Sequence, residues 1–213
     1  MSLYVPEHFR TTDQTAAHDL IEGHPLCLLV SVEEGTPRFS PVPVLLDRDH
    51  GALGRLRFHL ARANPQSARL AERSEASLVF QGSETYVSPD WYVDTKLPPT
   101  WNYELVIAHG RATPLDDDGL LRLLADLSHD QERHLDKVPW TMEMMGEDRV
   151  RGLLRGIIGF AFEIDRLEAK SKLSQNRSPA DRASVRRALA AQPGQRAHEV
   201  AARMAAVDPD HEA

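Results

Sequence analysis

The stretch Leu26-Cys27-Leu28-Leu29-Val30-Ser31-Val32, followed by Glu34-Gly35-Thr36 and then by Arg38-Phe39-Ser40-Pro41-Val42-Pro43-Val44-Leu45-Leu46, decides the fold class. Its first part is a short apolar run, the pattern of a strand buried on both faces. The middle is a turn. The last part reads as a second strand. Pro41 and Pro43 have no N–H to give a ladder, so this strand belongs at an edge or carries a bulge. Bulged edges are common beside binding sites. Residues 47–54 are a polar turn with two glycines, and residues 56–60 are a third strand. Links this short make the pairing antiparallel.

Working outward, Thr11-Thr12-Asp13-Gln14 fits a capping box, with Thr at the N-cap and Gln three residues on. The helix behind it should end near Gly23. Asn64-Pro65 starts a short helix to about Arg73, because Asn suits the N-cap and Pro the first helical position. Residues 77–81 and 85–88 read as two short strands around Gly82. Residues 89–99 form a loop holding Trp91 and Tyr92, and 101–113 a long strand. Leu120, Leu123, Leu124 and Leu127 have amphipathic-helix spacing, with Asp116 to Asp118 at the favourable N-terminal end. Residues 147–155 are another short helix. Ile158, Phe160, Phe162 and Ile164 alternate as in a strand with one core face. Ser178-Pro179 opens a helical end, broken at Pro193-Gly194 and frayed after Val207. The tally is six or seven strands: a mainly β protein, an antiparallel barrel with peripheral helices and a C-terminal helical segment. The expected division is residues 1–175 as a barrel domain with inserted helices and 176–213 as a helical extension.

With 213 residues, 41% hydrophobic and 27% charged, the chain has the composition of a globular domain. A net charge of −7 excludes a wholly basic nucleic-acid-coating protein. The single cysteine, Cys27, excludes a disulfide scaffold or zinc ribbon and is expected in the core. No apolar run approaches the roughly 18 residues of a membrane span, and the N-terminus lacks a signal-peptide pattern. A soluble, cytoplasmic protein with no membrane contact is expected.

Beside Ser40-Pro41-Val42-Pro43, three further segments carry more specificity than a fold needs. The first is His59-Leu60-Ala61-Arg62-Ala63-Asn64-Pro65-Gln66, leaving a strand and entering a helix N-terminus, where backbone N–H groups favour an anion. Arg62 adds a guanidinium fork, Asn64 and Gln66 add neutral donors, and Ser40 on the neighbouring strand adds a hydroxyl. The alternative is an N-cap with a surface arginine. The second is Lys170-Ser171-Lys172-Leu173-Ser174-Gln175-Asn176-Arg177, either a solvated connection or a grip on an anionic or polar planar ligand. The third is the aromatic set Trp91, Tyr92, Trp101 and Tyr103, either core, a dimer contact or a cover for a flat ring. No metal site is expected: His129 and His134, beside Glu132, do not share a helix face well. No catalytic acid, base or nucleophile stands out.

These segments together resemble the PaiB family, which is similar to the FMN-binding split-barrel proteins. The resemblance covers about residues 4–190. It rests on Tyr4-Val5-Pro6-Glu7-His8-Phe9, the segment from His59 to Gln66, Phe80-Gln81-Gly82, Tyr86-Val87-Ser88-Pro89, Trp91-Tyr92, Pro99-Thr100-Trp101-Asn102-Tyr103, Gly156-Ile157-Ile158-Gly159-Phe160 and Lys172-Leu173-Ser174-Gln175-Asn176-Arg177. It implies a six-stranded split β-barrel that forms a homodimer, binds FMN at the subunit interface and acts as a negative transcriptional regulator. The cofactor-binding positions it implies are Ser40, Val42, His59, Arg62, Asn64 and Gln66, with Lys172, Ser174, Gln175 and Asn176 assigned from their polarity.

Two other functions fit the same residues. A flavin-dependent oxidoreductase of small molecules needs no visible catalytic residue, because the cofactor carries the chemistry. A dimeric ligand sensor needs no flavin. Residues 166–203 hold nine Lys and Arg against three Asp and Glu, so a repressor has a basic C-terminal region with which to meet DNA.

Overall fold

The structure, a computed structural model, describes residues 2–73 and 75–208. Among them, six strands close a barrel: β1 (Leu26–Glu33), β2 (Thr36–Asp47), β3 (Arg55–Ala61), β4 (Glu75–Val87), β5 (Thr100–Pro114) and β6 (Ile157–Lys172), in the order β1-β2-β3-β6-β5-β4. β1 pairs antiparallel with β2 and β4, and β3 with β2 and β6. Six helices accompany them: α1 (Gln14–Gly23), α2 (Pro65–Arg73), α3 (Asp117–Glu132), α4 (Glu147–Leu154), α5 (Pro179–Ala190) and α6 (Gln195–Ala206). The fold is the mainly β barrel with peripheral helices that the sequence predicts.

The β1–β2 turn places Glu34 at φ 50° and Gly35 at φ 77°. Two left-handed residues match the twist of a hairpin. The prolines of β2 follow a parity rule. The Val44 N–H donates to the Pro25 carbonyl, so even-numbered N–H groups of β2 point towards β1. Pro37, Pro41 and Pro43 are odd-numbered, and the missing donors fall on the side away from β1. The β2–β3 register begins only at Val44. The prolines therefore occupy the half of β2 with one neighbour, as an edge requires.

Four expectations change. β1 is buried on one face only: Cys27 and Leu29 are inside, whereas Leu26 and Val32 are exposed. The two short strands around Gly82 are one strand of thirteen residues, because the ladder carries the buried glycine through. The cap of α1 is Asp13 instead of Thr11, its carboxylate accepting from the Thr15 N–H at 2.9 Å. β6 runs on to Lys172, so Lys170 and Lys172 lie on a strand and not in a connection. The chain after residue 208 lies outside the described residues.

Contacts divide the chain into two compact units. One comprises residues 18–80 and 107–167, the other residues 1–17, 81–106 and 168–213. The first has a core of Leu29, Val44, Leu56, Phe58, Phe80, Phe160 and Phe162, with Phe58 stacked on Phe160 at 5.5 Å between centroids. Gly110 is required there, because a Cβ on it would stand 1.9 Å from the Glu163 carbonyl oxygen. The second packs Val87, Tyr92 and Leu173 against Val185 and Leu189 of α5 and Val200 and Met204 of α6. Ser178 caps α5 as predicted, accepting from the Asp181 N–H. The Asp181 carboxylate accepts from the Val93 and Asp94 N–H groups at 2.8 and 3.1 Å, which ties the 89–99 loop to the helix.

Candidate functional site

In the first unit, Asn64 caps α2 as its sequence predicts: Oδ1 accepts from the Gln66 N–H at 3.0 Å. Its Nδ2 donates to Ser40 Oγ at 2.8 Å, and Ser40 Oγ donates to Gln66 Oε1 at 2.6 Å. Gln66 Nε2 donates to Ser31 Oγ at 2.9 Å and to the Arg38 carbonyl. Ser40 and Gln66 are buried. This relay pins the start of α2 to the β1–β2 hairpin. The Ser40 hydroxyl and the Gln66 amide thus hold the loop in place. Val42 is also in the core at 1% exposure, so what it presents outward is backbone.

Arg62 is placed differently. Its Nε donates to the Arg155 carbonyl at 3.0 Å and its Nη2 to the Ile157 carbonyl at 3.1 Å, while its own N–H donates to the Gly156 carbonyl. The side chain is exposed, and among the described residues no carboxylate lies within ion-pair distance. It is a cation oriented by two carbonyls and not neutralised by any partner. Three residues earlier, His59 has a buried Nδ1 without a hydrogen-bond partner. Burial holds the His59 pKa below its ordinary value, so the ring is neutral at pH 7. An exposed guanidinium oriented by two carbonyls can receive an anion carrying several oxygen atoms.

Lys172, Ser174, Gln175 and Asn176 belong to the other unit. Lys172 Nζ donates to Thr100 Oγ1 and to the Trp101 carbonyl, and lies within 6 Å of the Phe9 and Tyr103 ring centroids. Burial first, then Lys170 and Arg177, hold its pKa below the usual lysine value. Ser174 adopts φ 70° and donates to Asn102 Oδ1 at 3.1 Å. Gln175 closes the turn on itself, accepting from the Leu173 N–H and donating to the Ser171 carbonyl, each at 2.8 Å. Asn176 is exposed. Most of this polar run is occupied in making a turn.

Ser31 gives no signal of its own in the sequence because it lies within an apolar run. The period-2 reading would have found it, since Ser31 shares parity with the buried Cys27 and Leu29. The ring set around Lys170 and Lys172, with Tyr4, Phe9 and Tyr103, also gave no local signal.

Residues 3–166 match the model of the family described as "Putative FMN-binding domain". The chain belongs to this family. It is 29% identical over 185 residues to the Bacillus subtilis "Protease synthase and sporulation protein PAI 2", covering 86% of this chain and 87% of that protein. Two solved structures share its fold. The FAD and heme binding protein from Mycobacterium smegmatis has a TM-score of 0.55 at 19% identity, covering 76% of this chain and 73% of that one. The flavocytochrome Anf3 from Azotobacter vinelandii has a TM-score of 0.54 at 16% identity, covering 79% and 72%. The protein is thus a flavin-binding, PaiB-like member of the family, with FMN as its cofactor. The Arg62 guanidinium, exposed and without a carboxylate partner among the described residues, fits the anionic end of that group.

Proposed function

We propose that the protein is a homodimeric, FMN-binding negative regulator of transcription, working in the cytoplasm. The observation that carries the reading is Arg62, oriented by two backbone carbonyls and left without a carboxylate at the start of α2. In this reading Arg62 receives the flavin phosphate, His59 Nδ1 adds a polar contact, and the Ser40–Asn64–Gln66 relay keeps the loop rigid. Bound flavin supplies one- and two-electron redox chemistry, and the protein's residues hold and shield it.

The outer face of the β1–β2 hairpin supports a second copy as partner. Its cross-strand pairs are Leu26 with Pro43, Leu28 with Pro41, Val30 with Phe39, and Val32 with Pro37. All eight residues are apolar, and Leu26, Val32 and Phe39 are 69%, 63% and 59% exposed. A bare apolar sheet face marks an interaction site, and two such faces are self-complementary across a two-fold axis. The likeness to the sporulation protein supports the regulatory role. DNA contact is expected to be modest and salt-labile. Arg182, Arg196 and Arg203 of the basic C-terminal region are already paired with Asp208, Glu84 and Glu104.

Titration of FMN by fluorescence quenching tests the reading. Arg62→Ala removes a charge-assisted contact of about 1.5–3 kcal/mol, so affinity should fall roughly 10- to 100-fold. Arg62→Lys should recover part of it. Unchanged affinity in Arg62→Ala refutes the assignment. Light scattering should give about twice 23.9 kDa, and Phe39→Asp should give a folded monomer.

A further inference from the structure

We propose that the helical insertion between β5 and β6 holds a second ligand site, for a small cation with an apolar body. A cavity of about 720 Å³ lies between α3 and the segment running through residues 142–154. That volume falls within the range of small-molecule sites. Leu121, Met142, Val150 and Leu154 line it, each half-buried. Apolar side chains left partly wet around a hollow are stabilised by an apolar occupant. Methionine adapts readily to different shapes, which suits a binding surface.

The rim supplies the sign of the charge. Asp117, Glu143 and Glu147 line the same cavity, with Arg151 as the counter-charge. Among the described residues, Arg151 reaches Glu147 alone, at 3.8 Å. Among the described residues, neither Asp117 nor Glu143 has a cation within ion-pair distance. Asp117 sits in the first turn of α3, where the macrodipole alone favours a carboxylate. Glu143 lies in a four-residue 3-10 turn, Met142–Met145, too short to build a comparable macrodipole. Hydrogen bonds from Thr141 and from its own backbone N–H hold its carboxyl below the usual range, so it is charged at neutral pH. An apolar floor beneath uncompensated carboxylates selects an amine with an aromatic or branched aliphatic body. It disfavours carboxylates and phosphates. The site shares no residue with the proposed flavin contacts, so the two readings stand or fall separately.

Calorimetric titration of the full chain with 4-phenylbutylamine, 4-phenylbutanol and 4-phenylbutyrate tests the proposal. The amine should bind best, the alcohol more weakly and the carboxylate not at all. The amine's advantage should shrink at high salt. Asp117→Asn combined with Glu143→Gln should weaken amine binding about 2- to 30-fold, the range for two exposed charge pairs, and leave the alcohol unchanged. Val150→Trp should weaken binding of both by taking up part of the cavity. The carboxylate variants change exposed side chains only, so they stay decisive if Val150→Trp perturbs α4. FMN titration of the carboxylate variants should match the parent protein. No binding of the amine at millimolar concentration overturns the site. So does equal binding of amine and carboxylate, or undiminished binding in Val150→Trp.

Discussion

Ser40 donates its hydroxyl proton to Gln66 Oε1 across 2.6 Å, joining β2 to the first turn of α2. Both side chains are buried, and Asn64 Nδ2 completes the relay by donating to the same Ser40 oxygen. Ser40→Ala would leave Gln66 Oε1 without its donor and Asn64 Nδ2 without its acceptor. The expected loss is about 1–3 kcal/mol of stability, read as a lower urea midpoint at unchanged slope. Ser40→Thr, which keeps the hydroxyl, should recover much of it.

Gly110 has a sharper requirement. An alanine there would press its Cβ against the Glu163 backbone oxygen, and backbone in a barrel ladder has little room to move. Gly110→Ala should cost at least about 1–3 kcal/mol, the range for overpacked sites. Thermal unfolding would show it, and a melting temperature within a degree of the parent would contradict the close approach.

Asp47 makes part of the stability depend on pH. Burial pushes its carboxyl up, but hydrogen bonds and charge from Arg57 and Arg55 outweigh burial and hold it below the usual value. Arg57 also reaches Asp126 at 2.7 Å. A carboxyl with a depressed folded-state pKa contributes its stability above the unfolded value, about 3.9, and loses it as pH falls through the lower folded value. The stability difference between the parent and Asp47→Asn should therefore be constant from about pH 6 to 8. It should shrink below about pH 4, as urea midpoints across that range would record.

Cys27 is buried on the inner face of β1, and burial pushes its thiol up to about 12. The thiolate is the reactive form, so a disulfide reagent at pH 8 should leave the native protein unmodified. One equivalent should react once the chain is unfolded in guanidinium. Rapid modification under native conditions would place the residue outside the core.

What the sequence determined by itself was local and periodic. Asn64-Pro65 and Ser178-Pro179 were legible as helix starts, because a cap satisfies N–H groups two or three residues away. The alternation through Phe160 and Phe162 was legible as a strand with one core face, because side chains on a pleat alternate. The resemblance of several ordered segments carried the family. The tertiary structure alone decided where each polar group is employed. Ser40 and Gln66 looked like donors awaiting a ligand, yet they answer each other from strand and helix 26 positions apart. Gln175 answers its own turn. Arg62 gave no sign that two carbonyls near residue 156 would orient it. The physical reason is common to all of these. A hydrogen bond reaches about 3 Å, and which groups come that close is fixed by the register of strands distant in the chain, which no local pattern of side chains encodes.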